Sequence, residues 1–207
     1  MELNPHDLLR IKGAEELISH TPIPNWVAES LAISPFVVIR RSHAAKGQVA
    51  VGIRGPERNK RFAAFLPIDS ILSRITPERL VQDKGWQNHH SKKIFQCLDR
   101  VSKLLDRASL TWGPTGSVGF ELATGQEVVT EKSDIDIVIR ITEEFTINFA
   151  QKIENGLKKN PFRIDVQLET KVGAFSLSEY ANSKGKAVLF RTIDGPFLKE
   201  VTPEFSE

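Results

Sequence analysis

The stretch WGPTGSVGFELATGQEVVTEKSDIDIVIR, Trp112 to Arg140, joins a glycine-rich turn to two aspartates on an apolar strand. In its last eight residues, Asp134 and Asp136 alternate with Ile135, Ile137 and Ile139. Strand side chains alternate between faces, so both carboxylates point one way while the isoleucines enter a core. Their Cα atoms would stand roughly 6.5–7 Å apart, close enough for both side chains to reach one cation. Upstream, Gly113, Gly116 and Gly119 are spaced G-x-x-G-x-x-G, with Thr115 and Ser117 between them. No Gly-Lys-Ser/Thr follows, which excludes a P-loop, and the G-x-G-x-x-G dinucleotide fingerprint is absent. Two readings remain for the glycines. One is a plain strand-to-helix turn. The other is an anion cradle, in which glycine admits close backbone approach, a helix opened by GFELA offers free N–H groups, and Thr115 and Ser117 add hydroxyls.

A second acidic strand follows. In FRIDVQLET, Ile164, Val166 and Leu168 share one face, while Arg163, Asp165, Gln167 and Glu169 share the other. Paired beside the first strand, Asp165 would come within about 4.5–5.5 Å of it, measured between Cβ atoms. Like charges about 4 Å apart repel by on the order of 4 kcal/mol at an effective dielectric near 20. A hard divalent cation offsets that cost, and Mg²⁺ favours carboxylate oxygens completed by phosphates and water. Two such ions about 3.5–4 Å apart clamp the attacking and leaving oxygens of a phosphoryl or nucleotidyl transfer. The plain alternative is that the aspartates form the solvated face of amphipathic strands.

Around this centre the chain of 207 residues has room for one large domain or two small ones. Its 40% apolar and 26% charged content is that of a folded globular protein, and a net charge of +2 does not point to nucleic acid. The single cysteine, Cys97, excludes an intramolecular disulfide framework and reads as a small core residue. No run approaches 18 apolar residues, and Met1 to Arg10 carries acidic and polar residues where a signal peptide would be apolar. A soluble cytoplasmic protein without membrane or nucleic-acid partners is expected.

The fold expected is α+β, with a small β-rich N-terminal domain over residues 1–85 and a mixed-sheet domain with flanking helices over residues 86–207. FVVIRR, QVAVGIR and RFAAFLPI read as strands, and TPERLVQDKGW as a short helix with Pro77 at its first position and Gly85 at its end. From Ser91 to Ala108, the spacing of Ile94, Leu98, Val101, Leu105 and Ala108 predicts a helix with one buried face. Beyond the glycine turn the expected order is a short helix, a strand over Ile135 to Ile141, a helix over about Glu144 to Lys158, a strand over Phe162 to Glu169, then a helix in SLSEYANS and a strand in AVLFRT. Trp112 is expected to anchor the glycine turn by packing. His89 and His90 read as polar residues entering a helix rather than as ligands.

Between Val37 and Phe62 the chain carries Arg40, Arg41, Lys46, Arg54, Arg58, Lys60 and Arg61 against one acid, Glu57. Arginine binds phosphate bidentately, and such a patch steers acidic partners. The arm therefore grips phosphates, docks an acidic protein, or is simply a solvated hairpin. Arg191, on the last expected strand, is a further phosphate-contact candidate.

Turn and carboxylates together resemble the nucleotidyltransferase superfamily, in which a Gly-Ser turn precedes Asp-x-Asp on one strand and a third acid on its neighbour. Here these are Gly116-Ser117, Asp134-Ile135-Asp136 and Asp165. Sixteen residues separate Ser117 from Asp134, a wider gap than the superfamily usually shows. GPTGSVGFELATG with SDIDIVIR is similar to a narrower family, the phosphoribosyl-dephospho-CoA transferases that serve malonate decarboxylase. The likeness extends through SPFVVIRR, VGIRGPERNKRFAAFLP, ITPERL and LFRTIDGPFL, most of the chain. The resemblance implies transfer of a prosthetic group from 2'-(5''-triphosphoribosyl)-3'-dephospho-CoA to a serine of the acyl carrier protein subunit of malonate decarboxylase, with loss of pyrophosphate. It implies Asp134 and Asp136 as the catalytic metal-binding pair, with Asp165 added on superfamily geometry, and Thr115, Gly116 and Ser117 beside the phosphates. Two other readings stand beside it: a metal-dependent nucleotidyltransferase acting on a small molecule, RNA or protein, and a catalytically silent scaffold for the carrier protein.

Overall fold

Alternating apolar residues on short strands build the first of two sheets. The computed structural model describes residues 2–57, 59–89, 92–142 and 145–201. The chain is α+β and divides into two units, Met1–Thr76 with Ala123–Gln126, and Pro77–Leu122 with Glu127–Glu207. In the first unit, Leu8–Arg10 (β1), Phe36–Ile39 (β2), Gln48–Arg54 (β3), Arg61–Pro67 (β4) and Ser73–Ile75 (β5) form one antiparallel sheet in the order β4-β3-β2-β1-β5. Leu9, Val37, Ile39, Val51, Ile53, Ala64 and Leu66 share its buried face with Val27 and Leu31 of the helix Asn25–Ile33 (α1). The strands expected in FVVIRR, QVAVGIR and RFAAFLPI are β2, β3 and β4, whereas β1, β5 and α1 were not anticipated.

The second unit opens with Pro77–Asp83 (α2), and Pro77 does occupy the first helical position. Gly85 does not end it. Lys84 takes the left-handed conformation there at φ 48°, and Gly85 starts a 3-10 turn that runs to Asn88. The helix Lys93–Arg107 (α3) buries Ile94, Leu98, Val101 and Leu105 as its spacing predicts, together with Phe95 and Cys97. His89 is exposed, and its ring lies 5.5 Å from that of Phe95. His90, Arg58 and Glu144 lie outside the described residues.

Thr111–Pro114 (β6), Gly116–Thr124 (α4), Ile135–Arg140 (β7), Ile147–Leu157 (α5), Ile164–Glu169 (β8), Gly173–Ser176 (β9), Leu177–Ala181 (α6), Val188–Thr192 (β10) and Gly195–Lys199 (β11) complete the chain. The sheet order is β11-β10-β9-β8-β7-β6, with β7 and β8 parallel and the other pairs antiparallel. One face is apolar: Ile135, Ile137, Ile139, Val166, Leu168, Phe175 and Phe190 pack with the buried residues of α3 and α5. Helix α5 is capped by the Thr146 hydroxyl, which accepts from Phe149 N–H at 3.2 Å. Pairing register places Gly113, Asp136, Val138, Arg140, Asp165, Gln167, Glu169, Ala174 and Arg191 on the opposite face. That face carries the candidate site.

Candidate active site

The three glycines separate into three tasks. Gly113 lies in β6, and a Cβ there would fall 2.1 Å from the Pro77 carbonyl carbon, so its absence lets α2 lie against the strand. Gly119 sits inside α4, where a Cβ would fall 2.5 Å from the Pro114 carbonyl oxygen. Only Gly116 takes the left-handed region, at φ 59°, and it opens α4 three residues earlier than GFELA suggested. Trp112 supports this turn from the apolar face; its Nε1–H donates to Asp106 Oδ1 at 2.9 Å and its ring lies 6.4 Å from that of Trp86.

The turn closes directly on a carboxylate. Thr115 N–H donates to the Asp136 carbonyl oxygen at 2.8 Å, which ties the end of β6 to β7. A Cβ on Gly116 would lie 1.9 Å from Asp136 Oδ2, so the carboxylate crosses the space a side chain would fill. Thr115 is buried, Ser117 half-buried and Gly116 exposed, which sets the open helix end at the surface beside Asp136. Free N–H groups at such an end attract anions.

Asp136 stands in register with Asp165 on the parallel neighbour, about 4.8 Å away across the ladder. Asp134 lies one residue before β7, where Ile135 N–H donates to the Arg163 carbonyl at 2.9 Å. Arg163 Nε donates to Asp165 Oδ1 at 3.0 Å and supplies a positive charge among the acids. Among the described residues, no three His, Cys, Asp or Glu side chains are grouped to hold a metal ion. The chemistry of the donor set nevertheless fits Mg²⁺, which takes one or two carboxylates and fills its remaining positions with phosphate oxygens and water.

Further along the same face, Glu169 is buried rather than solvated. Arg140 lies 3.7 Å from it and donates to Glu78 Oε1 of α2 at 2.9 Å, and Gln167 Nε2 donates to Glu169 Oε1 at 2.9 Å. Arg191 shares the face but aligns with Ala174 and Glu169. It is therefore two strands over and four positions up from Asp165, roughly 13 Å along the strand direction. Arg54 and Arg61 oppose each other across β3 and β4 of the first unit. The structure thus brings together Thr115, Gly116, Ser117, Asp136 and Asp165, with Asp134 at their border, and leaves Arg191 apart.

A residue absent from the sequence reading is Glu121 of α4, only 4% exposed. Its Oε2 accepts the N–H groups of Val128 and Val129, each at 2.8 Å, and its Oε1 accepts Lys92 Nζ at 2.5 Å. The signal available was a lone acid in the apolar GFELA. Burial alone would raise its pKa, but Lys92 and the two N–H groups outweigh that and hold it below the ordinary 4.5. Lys92 moves the opposite way, upward, chiefly through its hydrogen bond to Glu121. A depressed carboxyl pKa contributes stability above the unfolded value that is lost as pH falls through the folded one. Melting temperature should therefore drop as pH is lowered below about 4.5, and Glu121→Gln should remove that part of the drop. At neutral pH the same variant should lose roughly 2–4 kcal/mol, read by chemical denaturation.

A glycine turn closed on one of two adjacent carboxylates, on the polar face of a mixed sheet, has the layout of a group-transfer enzyme. Residues 4–77 match the family described as phosphoribosyl-dephospho-CoA transferase MdcG N-terminal domain, and residues 82–202 match the corresponding C-terminal domain family. The chain is 39% identical to a phosphoribosyl-dephospho-CoA transferase of Pseudomonas putida, over 94% of this chain and 92% of that one. It is 38% identical to one of Pseudomonas fluorescens, over 89% and 87%, and 35% identical to one of Azotobacter vinelandii, over 89% and 87%. The chain belongs to the phosphoribosyl-dephospho-CoA transferase family and is a transferase. No solved structure matches it. Among the described residues, no helix is long and apolar enough to cross a membrane.

Proposed function

We propose that this cytoplasmic enzyme moves the 2'-(5''-phosphoribosyl)-3'-dephospho-CoA group from its triphosphate precursor to a serine of the apo acyl carrier subunit of malonate decarboxylase. The observation that carries this reading is the Gly116 turn closed on Asp136 beside in-register Asp165, in a chain whose relatives bear the transferase name. The serine Oγ attacks the phosphorus nearest the ribose. One O–P bond forms, the bond to the β-phosphate oxygen breaks, and its electron pair leaves with pyrophosphate. The serine proton passes to a carboxylate of the aspartate group.

The chain's own residues divide this work. Gly116, Ser117 and the first N–H groups of α4 receive the departing phosphates, and the Thr115 hydroxyl adds a donor. Asp134, Asp136 and Asp165 would hold Mg²⁺, as two ions, which when bound would supply neutralisation of triphosphate charge and a lowered pKa for the incoming hydroxyl. Comparing pyrophosphate release from the triphosphoribosyl donor with release from ATP tests the donor assignment. Release from the donor alone supports it; release from ATP alone makes the chain a transferase of ordinary nucleotides.

The basic arm fits the docking of an acidic carrier, with Arg54 ending β3, Arg61 opening β4 and Arg58 between them in sequence. Charge reversal at a docking rim acts on encounter more than on chemistry. Arg58→Glu with Arg61→Glu should raise KM for the carrier by about tenfold, roughly 1.4 kcal/mol, at little change in kcat. Steady-state kinetics at low salt checks this, and an unchanged KM counts against carrier docking by the arm.

A further inference from the structure

Asp134 reaches the site at the end of a long connection. Helix α4 takes the chain to Thr124, and residues 125–133 then return it to the start of β7 without helix or strand. A free segment of that length would scatter Asp134 over many positions, because each unfixed residue keeps its backbone freedom. The segment is instead held twice. Glu121 binds Val128 N–H and Val129 N–H through one oxygen and Lys92 through the other, while Lys92 also lies 3.2 Å from Glu127 Oε1. Next, Ser133 N–H donates to the Thr130 carbonyl at 3.0 Å and Thr130 N–H donates to Ser133 Oγ at 3.0 Å, closing the turn that precedes Asp134.

The clamp starts on the same helix as the glycine turn, five residues after Gly116. A buried carboxylate is a poor choice for stability alone, since a well-packed apolar side chain often does as well. An apolar residue, however, cannot accept two backbone N–H groups. A glutamine has a single acceptor oxygen for partners that here occupy two.

We infer that Glu121, braced by Lys92, is the positioning residue for Asp134: it couples the helix bearing the phosphate turn to the loop that delivers the metal-binding aspartate. The inference rests on the reading of Asp134 as a site residue. Misplacement of a reacting group by about 1 Å costs up to 10²-fold in rate. Glu121→Gln should therefore lower kcat by about 10–100-fold and leave KM for donor and carrier within about threefold. Amide exchange should accelerate at Val128 and Val129 while β7 and β8 stay protected. Lys92→Arg should retain most of the wild-type kcat, which a mere need for packing would not require.

Asp134→Asn, assayed in parallel, separates the two claims. If Asp134→Asn turns over normally, the reading of the site fails, and with it any role for Glu121 in positioning a catalytic group. If Asp134→Asn is inactive and Glu121→Gln keeps the wild-type kcat despite faster exchange at Val128 and Val129, the positioning role alone is overturned. Retained protection at both amides overturns it as well. Should Glu121→Gln not fold, Lys92→Met, which leaves both N–H bonds in place, decides the matter: a reduced kcat in a folded variant supports the role, and an unchanged one refutes it.

Discussion

Asp136→Asn is expected to lower kcat by at least about 10³-fold, some 4 kcal/mol of transition-state stabilisation, in a protein that folds normally. Asparagine keeps the shape of aspartate, and the bond that fixes β7 to the turn runs from Thr115 N–H to the Asp136 main-chain oxygen, which the substitution does not touch. What it removes is charge. Asp136 and Asp165 face each other across neighbouring strands, so their mutual repulsion works against folding, and a neutral residue relieves it. The melting temperature should stay within a few degrees of wild type while activity disappears, because relief of that repulsion is offset by what the carboxylate gains beside the open end of α4. Thermal denaturation beside the transfer assay checks both halves. A folded variant with wild-type turnover would remove Asp136 from the chemistry.

Gly116→Ala should be nearly as damaging for a different reason. Alanine at φ 59° costs roughly 1–2 kcal/mol in backbone strain. Its Cβ would also lie 1.9 Å from Asp136 Oδ2, a separation no non-bonded pair of atoms tolerates, so either the carboxylate rotates away or the turn opens. We expect a loss of kcat of about 10²-fold or more. Gly125→Ala supplies the control. Gly125 has φ 72° and nothing within 4 Å of the place its Cβ would take, so it carries the strain without the collision. It should lose about 1–2 kcal/mol of stability and retain near-native turnover. Equal damage at both glycines would mean that strain, rather than contact with Asp136, explains the loss.

Much of the second unit was legible because its signals are local. The stripe Ile94, Leu98, Val101 and Leu105 encodes α3, and alternation in SDIDIVIR and FRIDVQLET encodes β7, β8 and the facing of Asp136 toward Asp165. Three-residue strands such as β1 and β5 escaped because their formation depends on partners far away in sequence, Phe36 to Val38 for β1 and Leu8 to Arg10 for β5. Strands β9, of four residues, and β11, of five, escaped even though their partners β8 and β10 lie close by in sequence, each across a short hairpin. The start of α4 was misplaced because Gly116 and Ser117 are weak helix formers, while tertiary contact with Asp136 overrides propensity. Lys84, a residue seldom left-handed, concealed the end of α2 behind the more obvious Gly85.

Burial of charge was the least legible feature. Glu169 sits in an alternating strand where period alone marks it as solvated, yet Arg140 and Gln167 enclose it. Glu121 looks like an ordinary polar helix position until Lys92 and the N–H groups of Val128 and Val129 converge on it. In both cases the partners come from other elements, beyond the reach of any sequence window. The gap between Ser117 and Asp134 belongs with them: its length is plain in the sequence, and its order comes from a side chain folded back upon it.

The most direct test of the account is the intact mass of the apo acyl carrier subunit after incubation with this enzyme, Mg²⁺ and the triphosphoribosyl-dephospho-CoA donor. The carrier should gain the mass of one phosphoribosyl-dephospho-CoA group, with one pyrophosphate released per modified carrier and no gain when the acceptor serine is replaced by alanine. A carrier that keeps its apo mass in the presence of folded enzyme, metal and donor would contradict it.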